Sequence, residues 1–332
     1  MGGKMKIINE KNTADSIYRT QFTFLIKHLV VCLGSGLIVL LAIATVTFFA
    51  MQQMPGDPAL AIIGGLNPTA EAIAAVTKEY GLDQPLYVQY GIYLSHLLQG
   101  DLGISYSQRL PVVEVIAQQA GATFELILAA IALTWILVLA WTLTTAGRRR
   151  WVSNLGSTVE TVLASLPPFW LAIILLAVFA FNLRLFPVAG SDSLHSLILP
   201  AFALALPLAG FVGQVTRQSL EITLEQPFIL TARLRGLSDW SVRWRHALRH
   251  SLLPGISLTG WAIGALASGS VVIEVIFSRK GLGRQLFQAV QSQDMPLVVG
   301  ITLVVALVYV LVNILVDILY HLVDPRLKGA NA

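Results

Sequence analysis

The sequence predicts an all-α integral membrane protein with six transmembrane helices. Of its 332 residues, 55% are hydrophobic and 12% are charged, whereas a soluble domain carries about 25% charged residues. The mean hydropathy is +0.72. The apolar residues also form long uncharged blocks such as Leu29–Ala50, and about 20 consecutive apolar residues are enough for a helix to cross a bilayer. This composition excludes an ordinary soluble fold.

Six blocks have the length and composition of membrane spans. They are Leu29–Ala50, Phe124–Ala146, Val162–Phe181, Leu197–Val215, Leu253–Phe277 and Leu297–Tyr320. Pro167 and Pro168 interrupt the start of the third span, and Pro200 and Pro207 fall within the fourth. A helix bundle tolerates such prolines where neighbouring helices satisfy the freed carbonyl groups. The first block is too long for the apolar region of a signal peptide, so we expect it to remain as an anchor.

Positive charge is distributed unequally between the two sides that six spans define. Sixteen of the 22 Lys and Arg residues fall on the side that holds both termini. The positive-inside rule places that side, and with it both termini, in the cytoplasm. We therefore expect a cytoplasmic tail over 1–28, a first helix over 29–51, an external segment over 52–121, a five-span core over 122–324 and a cytoplasmic tail over 325–332.

The predicted external segment has helical patterning of its own. Asn67-Pro68 is a helix-start signal. A stripe of apolar residues at helical spacing follows Pro85 and consists of Leu86, Tyr90, Leu94 and Leu97. We expect about two external helices that pack on the bundle or on a partner.

The sequence contains no motif for catalysis. It lacks the P-loop G-x-x-x-x-G-K-[ST] and the H-E-x-x-H, C-x-x-C and G-x-S-x-G patterns, so we expect a non-enzymatic chain without a cofactor. The single cysteine, Cys32, lies in the first apolar block and is interpreted as a core residue. His246 and His250 are four residues apart, but the arginines around them oppose a divalent cation. We predict neither a metal site nor binding of nucleic acid.

The most distinctive stretch is the strongly basic segment 218–253, which we call the coupling segment. Gly236 divides it into two helix-like halves. The first half ends in T-A-R-L-R-G, and the second runs from Asp239 to His250. A helix, a glycine break and a second helix form a rigid protrusion at the membrane surface.

The order of residues in this segment resembles the coupling loop, or EAA loop, of binding-protein-dependent ABC transporter permeases of the peptide/nickel branch. The matching motifs are T-A-R-L-R-G-L over 231–237 and R-H-A-L-R-H-S-L-L-P over 245–254. Landmarks of the same branch occur in order along the chain. They are P-G-D-P at 55–58, G-L-D-Q-P at 81–85, G-D-L-G at 100–103, L-P-P-F-W at 166–170, L-F-P-V at 185–188, G-L-G-R at 281–284, Asp317, and D-P-R at 324–326.

Two positions depart from the branch pattern. Gln226-Pro227 stands where the branch commonly has Asp-Tyr, which should shift the start of the first loop helix. Arg279-Lys280 stands where an aromatic residue and a proline usually precede Gly281. These two cations are expected to alter the external contact with a binding protein or its cargo.

The resemblance implies an ATP-driven importer of the bacterial inner membrane in which this chain forms half of the pathway. The implied partners are a second, homologous permease subunit, two ABC ATPase subunits, an external solute-binding protein and membrane lipid. The residues assigned to ATPase coupling are Thr231, Ala232, Arg233, Arg235, Gly236, Arg245, His246, Arg249 and Pro254. The arginines are expected to pair with acidic residues of an ATPase groove or, alternatively, with lipid headgroups.

Within the spans, Gly260 and Gly264 form a G-x-x-x-G step that lets helices approach closely. It is a candidate for the interface between permease subunits or the pathway wall, with a contact inside the chain as the alternative. Glu125, Glu274 and Asp317 are ionisable groups in or at the ends of spans. Glu274 is assigned to the interface or pathway, with anchoring at the membrane surface as its alternative.

Details of the branch motifs favour nickel or a metal chelate as cargo, with di- or oligopeptides as the alternative. No span contains a Met, Cys or His cluster typical of a metal cage. A more distant alternative is a secondary transporter, but the sequence has no internal repeat and few charges in mid-span.

Overall fold

The computed structural model describes residues 31–53, 69–79 and 81–323. Within these ranges the regular structure is helical, apart from one isolated β-bridge between Ile104 and Pro111. The all-α prediction is confirmed. The predicted tails, P-G-D-P at 55–58, Asn67-Pro68 and the side chain of Asp317 lie outside the described part of the chain.

The helices are numbered in chain order. They are α1 (Val31–Gln52), α2 (Ala70–Glu79), α3 (Leu86–Leu98), α4 (Val112–Thr145), α5 (Arg150–Ser165), α6 (Pro168–Asn182), α7 (Leu194–Leu224), α8 (Pro227–Leu234), α9 (Asp239–Ile276), α10 (Leu282–Gln291) and α11 (Met295–Val323). Of the described helices, α1, α4, α7, α9 and α11 are long and apolar enough to cross a membrane.

The third predicted span, Val162–Phe181, is not one straight helix. α5 ends at Ser165, α6 begins at Pro168, and the two helices meet at 98°. Leu166 is extended (φ −82°, ψ 129°) because the residue before a proline is pushed out of the helical region. If this bent pair counts as one span, the described helices provide six.

Several helices also extend beyond the predicted spans. α4 begins at Val112 rather than near Phe124, and α7 continues to Leu224. α9 starts at Asp239, so the second half of the coupling segment is continuous with the fifth span. Charged and polar residues at these ends carry no hydropathy signal, although they continue the helices.

α7 lies at the centre of the bundle and packs against α4, α5, α6 and α9. Pro200 and Pro207 are both inside this helix, as the sequence analysis allowed. The apolar core around it includes Leu204 and Val212 of α7, Leu126 of α4 and Leu266 of α9. α7 therefore forms the common packing surface for these four helices.

The predicted helix after Pro85 is α3, which packs against α1. Tyr90 and Thr45 share a hydrogen bond of 2.7 Å between their hydroxyl oxygens, and the ring of Phe48 lies 5.2 Å from that of Tyr90. Tyr90, Leu94 and Leu97 of the predicted stripe are half-buried, while Leu86 is exposed. Cys32 in α1 is only partly buried.

The two ends of the bundle differ in composition. The end that holds the turn 146–150 and the coupling segment is called the basic end, and the other is called the opposite end. At the opposite end Asp294 accepts hydrogen bonds from Ser105 (2.5 Å) and Ser107 (2.6 Å), which tie the loop before α4 to α11. Burial raises the pKa of Asp294, but these hydrogen bonds outweigh it and hold the pKa below its usual value.

Candidate coupling site

The coupling segment begins with the last turns of α7 and a sharp turn into α8. Gln226 is extended (φ −71°, ψ 147°), and Pro227 is the first residue of α8. Proline suits this first position because its fixed φ is helical and the N–H group it lacks has no partner there. The Gln226-Pro227 departure from the branch pattern thus sets the start of the first loop helix.

Gly236 ends α8 and turns the chain toward α9. Its φ is +79°, a conformation that residues with a Cβ rarely adopt. Its N–H donates to the carbonyl of Arg233 (2.9 Å), and Ser238 then caps α9 by accepting from the N–H of Ser241 (3.4 Å). The predicted division of the segment at Gly236 is present in the structure.

The predicted coupling residues are mostly on the surface of this protrusion. Exposed members are Thr231, Arg233, Arg235, Gly236, Arg245, Arg249 and Pro254. His246 is half-buried, and Ala232 packs into a small apolar cluster with Ile229, Leu220 and Val242. The structure therefore gathers these residues on one protrusion, with Ala232 holding α8 to the bundle.

Large apolar side chains on the same protrusion were missed by the sequence analysis. The exposed ones are Phe228, Leu230, Leu234, Leu237, Trp240 and Trp244. Leu234 is 80% exposed. Ile229 and Ala232 face inward, so Leu230 and Leu234, four residues apart, share the outward face of α8. An exposed apolar patch of this kind at a polar end of the molecule marks a contact with another protein or with the membrane surface.

Two buried arginines at the basic end were also missed. Arg217 of α7 donates to both carboxylate oxygens of Glu160 in α5, at 2.7 and 2.8 Å, and both side chains are almost fully buried. Gly156 leaves room for this guanidinium, because a Cβ there would lie 2.5 Å from Arg217 Nη2. The pair clamps α5 to α7 beside the coupling segment.

The second buried arginine, Arg243, lies in a π-helical stretch of α9, Val242–Ala247. Its Nε donates to Asp239 Oδ2 (2.8 Å), and its Nη atoms donate to the carbonyls of Ala146 and Gly147 at the end of α4. In the sequence, both arginines were assigned only to the positive charge of the cytoplasmic side. Their burial could have been predicted from their position along the helix, because each arginine shares a helical face with buried apolar residues.

Glu274 lies at the opposite end and is completely buried within the chain. Its carboxylate accepts from Thr123 Oγ1 (2.7 Å) and from the backbone N–H of Arg284 (3.0 Å) at the start of α10. A Cβ at Gly281 would overlap this carboxylate. The chain's own carboxylate thus occupies the helix N-terminus that follows G-L-G, and Glu274 is not exposed on a pathway or subunit surface of this chain.

Arg279 and Lys280, the two cations that differ from the branch pattern, have different surroundings. Arg279 is buried and donates to Glu125 Oε2 (2.6 Å), which is half-exposed. Lys280 is exposed, with its Nζ 3.6 Å from Asp192. Only Lys280 is therefore on the surface, where the sequence analysis expected both.

Gly260 and Gly264 pack inside the chain against α11. A Cβ on Gly260 would lie 2.9 Å from Val316, and one on Gly264 would overlap the ring of Tyr309. This packing favours the contact within the chain that the sequence analysis kept as an alternative. Among the described residues no group of three His, Cys, Asp or Glu side chains is placed to hold a metal ion.

Replacing Glu274 with alanine should destabilise the chain by about 1–3 kcal/mol, because the Thr123 hydroxyl and the Arg284 N–H lose a buried acceptor. Glu274→Gln keeps an acceptor oxygen and should lose less. The thermal midpoint of the purified protein in detergent measures both effects. Glu114→Ala, an exposed carboxylate on α4, is the control. Equal midpoints for the Glu274→Ala and Glu114→Ala variants would contradict the prediction.

Comparison with known proteins identifies the chain. Residues 132–329 match the family described as binding-protein-dependent transport system inner membrane component, and residues 22–127 match the N-terminal part of such membrane components. A putative peptide transport system permease of Brucella abortus (strain 2308) is 39% identical over 300 residues, covering 87% of this chain and 95% of the relative.

A glutathione transport system permease, GsiC of Salmonella typhimurium (strain LT2), is 36% identical over 292 residues and covers 87% and 94% of the two chains. Among solved structures, the inward-facing MetNI methionine ABC transporter aligns with a TM-score of 0.53 at 15% identity. It covers 63% of this chain and 96% of that one, and it supports the fold. This chain belongs to the binding-protein-dependent inner membrane component family and is an ABC importer permease of the peptide/nickel branch.

Proposed function

We propose that this chain forms half of the translocation pathway of an ATP-driven importer of short peptides. The observation that carries the proposal is the coupling segment, a two-helix protrusion with exposed apolar and basic side chains that continues directly into α7 and α9. A secondary transporter has no use for such a protrusion. The proposed partners are a second permease subunit, two ATPase subunits and an external solute-binding protein.

The relatives support peptide as the cargo. Their names refer to peptide transport and to glutathione, which is itself a tripeptide. Neither of these two relatives is named for nickel or metal chelate transport, the cargo that the branch motifs favoured. The described residues also offer no metal cage. We therefore rank peptides first.

In the proposed docking, α8 contacts the ATPase through apolar side chains that have exposed arginines beside them. Leu230 and Leu234 point away from the bundle, and burying such side chains in a groove contributes about 25 cal/mol per Å² of apolar surface. Arg235, Arg245 and Arg249 are exposed nearby and are free to meet acidic groove residues. Because α8 is joined to α7 and α9 by short turns, a push on it moves both spans together.

Leu234→Asp should reduce recovery of the ATPase subunits with the chain at least about tenfold, since a charge would be buried in the contact. The measurement is co-purification of the ATPases from membranes that express the whole complex. Leu98→Asp is a matched control, because Leu98 is 88% exposed and lies on α3. Equal recovery with both variants would mean that α8 does not dock through Leu234.

The cargo is tested by uptake in cells that carry or lack this chain together with its neighbouring genes. Radiolabelled dipeptide, glutathione and nickel, with and without chelators, are compared. The proposal predicts chain-dependent uptake of one or both peptides and no chain-dependent uptake of nickel. Chain-dependent nickel uptake without peptide uptake would overturn the cargo assignment.

A further inference from the structure

We propose that Arg243 is a positioning residue that fastens the coupling segment to the end of α4, so that movement of the ATPases reaches this helix as well as α7 and α9. The inference rests on the proposed function. It concerns a residue outside the exposed face of the protrusion, since the side chain of Arg243 is only 2% exposed.

Arg243 closes the C-terminal end of α4. The last carbonyl groups of a helix have no partner within it and are partly negative. α4 ends in a turn formed by Ala146, which is extended, and Gly147, whose φ is +57°. Arg243 Nη1 donates to the Ala146 carbonyl and Nη2 donates to that of Gly147 (3.3 Å). One guanidinium on α9 therefore holds the turn that follows α4 and, through the Leu143 carbonyl 3.5 Å from Nη1, contacts the last turn of α4 itself.

The same guanidinium is held from the other side by Asp239, the first residue of α9. Asp239 Oδ2 accepts from Arg243 Nε (2.8 Å) and from Arg148 Nη1 (2.7 Å) in the turn after α4. Arg233 Nη2 of α8 lies 3.7 Å from Asp239 Oδ1. This carboxylate thus contacts cations from α8, α9 and the α4–α5 turn, and these four side chains form what we call the arginine node.

The buried part of the node carries the mechanical connection. Arg148, Arg233 and Asp239 are all substantially exposed, and exposed ion pairs contribute little and are screened by salt. The guanidinium of Arg243 is shielded from water, so its removal leaves the buried Ala146 carbonyl without this donor. Lysine has a single ammonium group and lacks the planar fork that reaches Asp239 and two carbonyls together.

The position of Arg243 in the chain suits this role. It lies in the π-helical stretch Val242–Ala247, between the coupling segment and the apolar part of α9. π-Helical turns occur frequently at functional sites. Since α9 is continuous through this stretch, the node adds a buried polar connection from the segment to the end of α4, beside the apolar cluster that packs Leu143 and Ala146 against Val242.

The test compares Arg243→Met and Arg243→Lys with Arg150→Met in the complete complex reconstituted in vesicles. Arg150 is an exposed arginine at the same end and outside the node. Two ratios are measured, ATP hydrolysed per assembled complex and peptide imported per ATP. We expect hydrolysis to continue in both Arg243 variants while import per ATP falls at least about tenfold. A ratio within about twofold of the wild type would overturn the proposal.

A second readout does not depend on the cargo. In a Cys32→Ser background, Ser268→Cys places a thiol on the exposed side of α9, and its maleimide labelling is timed with and without ATP and vanadate. We expect nucleotide to change the labelling rate in the parent and not in Arg243→Met. An equal response in both would overturn the inference. If peptide import fails in the parent but labelling responds, the cargo assignment fails and this readout alone decides the role of Arg243.

Asp239→Asn combined with Arg243→Met completes the design. If the two residues act as one unit, the double variant should lose no more import per ATP than Arg243→Met alone. Additive losses would count against the node. Failure of both Arg243 variants to assemble, while Arg150→Met assembles, would also overturn the proposal, because it would show a role in folding only.

Discussion

Glu160→Ala is expected to lower the free energy of unfolding by about 3–5 kcal/mol, because it removes both carboxylate acceptors of the buried Arg217 guanidinium. The two side chains are 3% and 5% exposed, and the guanidinium contacts both carboxylate oxygens. α5 and α7 pack so closely here that a Cβ on Gly210 would lie 2.6 Å from the Glu160 carbonyl oxygen. Among the described residues, the only partial replacement in the ion pairs of Arg217 is the half-exposed Glu221, 3.9 Å from Nη1.

The measurement is the thermal unfolding midpoint of the purified protein in detergent. Glu225→Ala, an exposed carboxylate at the end of α7, serves as the control and should change the midpoint little. A double variant, Glu160→Leu with Arg217→Met, should recover most of the loss, since replacing a whole buried ion pair by apolar residues is often neutral. A midpoint for Glu160→Ala equal to that of the control would contradict the assignment of this pair as a clamp.

Gly236→Pro is expected to abolish transport while the chain still inserts into the membrane. Proline cannot adopt a φ of +79°, and it lacks the N–H that donates to the Arg233 carbonyl. The turn between α8 and α9 would have to re-form with α8 in a different direction. The spans themselves contain no part of this turn, so insertion should be unaffected.

Gly236→Asn is the matched control, because asparagine tolerates the left-handed conformation better than other residues with a Cβ and keeps the N–H group. No side chain or backbone atom lies within 4 Å of the position that a Cβ would occupy at Gly236, so a steric clash does not complicate the comparison. Peptide uptake at matched expression is measured for both variants. Full uptake by Gly236→Pro would show that the direction of α8 is irrelevant to coupling.

Much of the fold could be predicted because its signal is local. Uncharged blocks predicted α1, α4, α7, α9 and α11, and Gly236 predicted the break in the coupling segment. The bend between α5 and α6 was signalled by Pro167 and Pro168, but its 98° angle depends on how each helix packs on the bundle. The extension of α4 back to Val112 escaped because its residues are too polar for a hydropathy pattern. The predicted helix from Asp239 is present, but its continuity with the fifth span was not predicted.

The sequence predicted the exposed residues of the candidate site but not the buried contacts beneath them. The sequence motifs on both sides of Gly236 contain the arginines that are exposed on the protrusion. Arg217 and Arg243 resembled other loop cations, because their partners Glu160 and Ala146 are 57 and 97 positions away in the chain. Their helical phase indicates that they turn inward, but the tertiary structure decides which groups they bind. The same holds for Glu274, whose role depends on α10 folding back over it.

The most direct test of the central claim is ATP-driven uptake by sealed vesicles that contain the purified complex, with ATP supplied to the ATPase side and the binding protein on the other. The account predicts accumulation of a labelled dipeptide that requires ATP, the ATPase subunits and this chain, and that is lost with Gly236→Pro. Accumulation that persists without the ATPases, driven by an ion gradient, would contradict it.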